Sequence, residues 1–183
     1  MAFAKRVAGP LAALETAAMA GAGALLVVMT LVATTDAALR YAVNAPLTWS
    51  YDLISLYLLT GVFYLGLSNT LRVDGHISVD ILHNRMSARM RHASLVGGYA
   101  LALFAFAIMT RAVAERAVEA YSNDEAIVGS LLWPTWIAGA MVTLGLGLTG
   151  LRLAHRTVGH LLSALAGHDV IALPPLAGRN GDL

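Results

Sequence analysis

The chain has no cysteine, and only 13% of its 183 residues are charged. The missing thiols exclude a disulfide framework, a thiolate metal centre and a cysteine nucleophile. Charge is scarce beside 58% hydrophobic residues, whereas soluble domains carry about a quarter charged residues. Twelve Lys and Arg stand against eleven Asp and Glu, a net charge of +1, so no global field attracts nucleic acid. The sequence also lacks a glycine-rich phosphate loop, a His-Glu-x-x-His helix and a Gly-x-Ser-x-Gly elbow. The expectation is a protein that is not an enzyme and holds neither cofactor nor metal. With a mean hydropathy of +0.69, it is read as a membrane protein.

Four long runs are free of charge: residues 16–35, 53–71, 93–110 and 126–151, of 20, 19, 18 and 26 residues. About 20 residues at 1.5 Å each cross a hydrocarbon core of roughly 30 Å. The runs are rich in Leu, Ala, Val and Gly and lack the polar alternation of barrel strands. With no water to satisfy the backbone, helix is the form that remains. The first run follows Lys5 and Arg6, as a signal peptide would. Its 20 residues exceed a signal's apolar stretch, and no Ala-x-Ala follows it, so a retained helix is expected. Nine basic residues fall on one side of this topology (Lys5, Arg6, Arg72, Arg85, Arg89, Arg91, Arg152, Arg156, Arg179) and three on the other (Arg40, Arg111, Arg116). The positive-inside rule then places both termini in the cytoplasm.

Between the second and third runs, residues 78–91 align Val79, Leu82, Met86 and Met90 opposite Asp80, Asn84, Ser87 and Arg91. This pattern predicts an amphipathic helix lying in the membrane interface. The third helix is expected to continue past Thr110 to a turn at Asn123-Asp124, and the fourth to open at Trp133-Pro134-Thr135-Trp136. The fold class is therefore all-α integral membrane, with four transmembrane helices and one interfacial helix. It divides into a cytoplasmic segment 1–15, a membrane domain 16–156 and a largely disordered tail 157–183.

Chemistry inside the bundle looks sparse. Glu15, Asp36, Asp52 and Glu115 all lie at or beyond the ends of the apolar runs, and all six histidines lie outside them. Neither a transporter's deep ionisable residue nor a haem's axial pair is expected. One mouth collects Asp36, Arg40, Asn44, Trp49 and Asp52. These either form surface ion pairs, or Arg40 and Asp52 tie the first helix to the second or to another subunit. Small residues recur every fourth position at Ala13, Ala17 and Gly21 and at Gly139, Thr143 and Gly147, and Gly97-Gly98 open the third run. Such faces serve close packing within the bundle or against a second membrane protein.

An ordered series runs through the chain: Arg40-Tyr41, Trp49-x-x-Asp52-Leu53, Phe63-x-x-Gly66, His76-Ile77-x-Val79-Asp80 and Leu131-x-x-Pro134-x-Trp136. Over residues 15–155 it resembles the small membrane subunit of tripartite ATP-independent periplasmic (TRAP) transporters. It departs from that pattern at Tyr51, where many relatives have an acid, and at Met86-Ser87, where Leu-Pro is common. The resemblance implies a subunit of the bacterial or archaeal cytoplasmic membrane that works with a large permease and a periplasmic solute-binding protein. In such systems the large subunit binds sodium and an organic acid, and the small one enlarges the fixed scaffold. Arg40, Trp49, Asp52, Gly66, His76, Asp80, Pro134 and Trp136 then become structural or partner-contact positions, alongside contacts to membrane lipids. The alternative is a stand-alone, homo-oligomeric exporter coupled through Asp52.

Overall fold

A computed structural model describes residues 2–74 and 86–174, with side chains from Gly9 onward. Among the described residues, four helices are long and apolar enough to cross a membrane. They are α1 (Ala2–Val43), α2 (Ser50–Arg72), α3 (Ala88–Ser122) and α4 (Thr135–Ala166). The architecture is an all-α membrane fold.

The helices outrun the charge-free stretches that announced them. The 35 residues of α3 extend about 52 Å at 1.5 Å per residue, well beyond a hydrocarbon core of about 30 Å. Their ends follow local chemistry. Ser87 caps α3, its hydroxyl accepting from the Met90 N–H at 3.4 Å. Asn44, Asp74 and Asp124, with φ of 52°, 54° and 48°, turn the chain after α1, α2 and α3. Asn and Asp tolerate this left-handed backbone better than other side chains. Within α2, residues Ile54–Leu58 form a single π turn.

The fourth apolar run is not helical throughout, because Ala126–Val128 (β1) and Leu132–Pro134 (β2) pair antiparallel before α4 begins. Twenty-six residues exceed what the core needs, and Gly129-Ser130 turns the surplus into a hairpin. The amphipathic helix expected over 78–91 falls mostly outside the described residues. Of its expected members, Met86 and Ser87 are not helical, and Met90 and Arg91 belong to α3. α4 also continues past residue 156 to Ala166.

α4 is the central element, packed along α3 and α2 and reaching α1, which itself lies against α2. Gly145 sets the closest approach, since a Cβ there would collide with the Tyr64 backbone carbonyl. Gly139 meets Ala117 and Gly147 meets Thr110, so this small-residue stripe serves the α3–α4 contact. The first turns of α1, the end of α2, the start of α3 and the end of α4 share one end of the bundle, the terminus-bearing end, and the hairpin and α1–α2 connection lie at the other.

Candidate functional site

Arg152, Arg156 and His160 recur every fourth residue of α4 and so share one face. That face points inward at the terminus-bearing end, and each residue is at most 7% exposed. Glu15 of α1 is fully buried and takes two hydrogen bonds from Arg152, one from Nε to Oε1 at 2.7 Å and one from Nη2 to Oε2. The Ser68 hydroxyl of α2 donates to the same carboxylate at 2.7 Å, and Arg72 Nε lies 3.9 Å away. Arg72 also donates to the Ala12 carbonyl and the Thr16 hydroxyl at 3.0 Å. One carboxylate thus joins α1, α2 and α4.

A turn further along, Arg156 closes the end of α2. Its Nη2 donates to the Leu71 and Arg72 carbonyls at 2.9 and 3.1 Å, and its Nη1 to Asp74 Oδ1 at 2.5 Å. Helix-terminal carbonyls have no intrahelical partner, so a buried guanidinium supplies donors that water cannot. The Arg156 guanidinium also sits 5.9 Å from the centre of the Tyr99 ring. Beyond it, His92 and His160 face each other with their Nδ1 atoms 2.9 Å apart.

These groups overturn the expectation of a bundle without buried ionisable residues. The charge-free runs marked where charge is absent, but not where the bundle's interior ends. Glu15 lies one residue before the first run, yet α1 covers it with α2 and α4. The histidines outside the runs include two of the most buried side chains among the described residues, His92 at 2% and His160 at 0% exposure. The available signal was the four-residue repeat Arg152, Arg156, His160. By sequence position alone, the two arginines read only as topology-fixing charge.

At the opposite end, Arg40 pairs with Asp36 at 2.6 Å within α1, and no salt bridge joins it to Asp52. The second oxygen of Asp36 accepts the Leu47 N–H at 2.7 Å, holding the α1–α2 connection. Trp49 occupies the cap position of α2 and is half-buried. Asp52 lies beside the hairpin, its Oδ2 2.5 Å from where a Cβ of Gly129 would stand. The Pro134 carbonyl accepts the Tyr57 hydroxyl at 2.7 Å, and Trp133 packs its ring on Tyr57 at 5.6 Å. Trp136 meets Tyr121 of α3 edge-on at 5.4 Å. Gly66 faces Met19 of α1 across an ordinary packing distance. His76 and Asp80 lie outside the described residues. Arg116 of α3 donates to both oxygens of Glu125, just past the helix, at 3.0 and 2.5 Å, which holds that carboxyl below the usual carboxylate range.

Among the described residues, no group of three His, Cys, Asp or Glu side chains could hold a metal ion. The two buried arginines and their carboxylates satisfy one another, an arrangement that locks helices together and leaves neither charge open to a solute.

The family model for the DctQ component of tripartite ATP-independent periplasmic transporters matches residues 29–163, well over half of the chain. No curated protein and no solved structure matches. That match, four membrane-crossing helices and charges spent on helix-to-helix ties agree with one another: the chain belongs to the DctQ family and is a small permease component of a TRAP transporter.

Proposed function

We propose that this subunit is a non-catalytic scaffold that holds a large sodium-coupled permease in the membrane for uptake of organic acids, with a periplasmic solute-binding protein delivering the substrate. The observation that carries this reading is the closed pairing of the buried charges. Glu15 is taken by Arg152 and Ser68, and Arg156 by Asp74 and two carbonyls. A carboxylate engaged in this way is a poor sodium or proton carrier, because breaking a buried pair costs about 3–5 kcal/mol.

The exposed apolar faces of α1 and α3, with Val27, Leu31, Leu101 and Phe104 outward, offer surface to lipid and to the permease. At the mouth, Arg40, Trp49, Asp52 and Trp136 remain within reach of a partner, whereas Gly66 and Pro134 act through internal packing. His76 and Asp80 keep the contact role that the family resemblance implies. The basic excess at the terminus-bearing end supports a cytoplasmic location for both termini in the bacterial or archaeal inner membrane.

The test is a pull-down of tagged protein from its native membrane in mild detergent, with mass spectrometry of what co-elutes. A large polytopic permease at near one-to-one stoichiometry is the expected result. A stable homo-oligomer alone, transporting an organic acid in liposomes, would overturn the reading.

A further inference from the structure

Beyond α4 the chain doubles back. Gly167, at φ +71°, ends the helix, and its N–H donates to the Ser163 carbonyl at 3.1 Å. The Ser163 hydroxyl then accepts the Val170 and Ile171 N–H groups at 2.9 and 3.3 Å. Ile171 lies on Gly159, where a Cβ would come within 3.1 Å of its side chain. The Pro174 carbonyl accepts from Arg91 at 3.3 Å. Residues 167–174 thus lie as a strap across the ends of α3 and α4.

One side-chain tie ties the strap to the interior. Asp169, 61% exposed, holds His92 Nε2 at 2.9 Å, and His92 Nδ1 meets His160 Nδ1 at 2.9 Å. His160 Nε2 is buried without a partner. A contact between two Nδ1 atoms requires one proton between them. If His92 gives its Nε2–H to Asp169, a neutral His92 accepts at Nδ1, so His160 donates there and its Nε2 is bare. This arrangement explains the orphan atom, because a bare nitrogen is a lesser loss than a buried N–H with no acceptor.

Acid disrupts that arrangement. A proton on His160 Nε2 makes a buried cation with an unmatched donor, and a second on His92 sets N–H against N–H. The surroundings give little relief. Tyr99 of α3 stacks on His160 at 5.6 Å, the Arg156 cation of α4 lies next to Tyr99, and Asp74 after α2 is already taken by Arg156. Asp169 itself reaches water and can leave.

We propose that residues 167–174 are a proton-released strap, closed over α3 and α4 while the His92–His160 pair shares a single proton and opened when the pair takes up another.

Hydrogen exchange by mass spectrometry on the full chain in phosphatidylcholine nanodiscs, from pH 7.5 to 5.0, tests this on the peptide spanning Ser163 to Ile171. After correction for intrinsic rates, the opening equilibrium should rise about tenfold per pH unit once opening takes up one proton. Protection in the middle of α4 should stay constant. Asp169→Asn, at an exposed position, should open the strap at neutral pH, and His160→Gln should flatten the pH dependence. Exchange that is independent of pH in the parent chain, or unchanged in Asp169→Asn, would overturn the proposal. So would equal loss of protection along all of α4, which would signify unfolding rather than release.

Discussion

The two ends of this bundle use charge in opposite ways. At the terminus-bearing end, ion pairs are buried and join residues far apart in sequence, Glu15 to Arg152 across 137 positions and Asp74 to Arg156 across 82. At the hairpin end, pairs stay within a helix or its flanking loop: Asp36 with Arg40, Arg111 with Glu115, and Arg116 with Glu119 and Glu125. A local pair on a wet surface forms whatever the tertiary arrangement and contributes little. A buried long-range pair is different, because any other helix register strands its charges. Charge therefore dictates packing at one end, and aromatic contacts with backbone hydrogen bonds do so at the other.

The sharpest way to break this contrast is to remove one buried partner. Arg152→Ala should destabilise the protein by about 3–5 kcal/mol by stranding Glu15. The double variant Glu15→Leu with Arg152→Met should recover most of that loss. Thermal unfolding in detergent measures both, and equal losses in single and double variants would deny the coupling. A smaller effect is expected at the hairpin end. Tyr57→Phe removes the hydroxyl bond to Pro134 and should cost about 0.5–1.5 kcal/mol, read in the same melts.

The smallest effect concerns Arg116 and Glu125. Arg116 holds the Glu125 carboxyl below its ordinary value, so the pair's contribution is complete above the unfolded carboxyl's titration. That contribution disappears as pH falls through the lowered folded value. Arg116→Gln should therefore move the Glu125 titration upward in carbon-detected NMR and lower the neutral-pH melting temperature only slightly, because the pair is solvated. A drop as large as that of Arg152→Ala would mean that the two ends are less different than they look.

Much of the fold was legible in the sequence, and for identifiable reasons. Long apolar runs have few alternatives in lipid, so the number of helices followed directly, as did the Asn123-Asp124 turn and the helix opening at Pro134. The hairpin was hidden because Ala126–Pro134 is as apolar as the helix it precedes. The buried network was hidden for a different reason. A charged residue at the edge of an apolar run reads as a solvated terminus, and only the neighbouring helix shows whether it is covered. Of the residues that carry the family resemblance, Arg40, Trp49, Asp52 and Pro134 cluster towards the hairpin end, whereas His76 and Asp80 follow α2 outside the described residues. The residues with the most demanding environments, Glu15, His92, Arg152 and His160, are at the terminus-bearing end.

The π turn at Ile54–Leu58 bears on how these two ends coexist. A π turn holds one residue more than an α turn, and each residue advances a helix by about 100°. The stretch Ser50–Leu53, which meets the mouth, and the stretch Leu59–Arg72, which carries Ser68 to Glu15, are thus out of phase by one step. A plain α-helix of the same sequence could aim one stretch at its neighbours and would misdirect the other. The second helix works as a vernier, and its single surplus residue lets an aromatic seam and an ionic lock be built on the same rod.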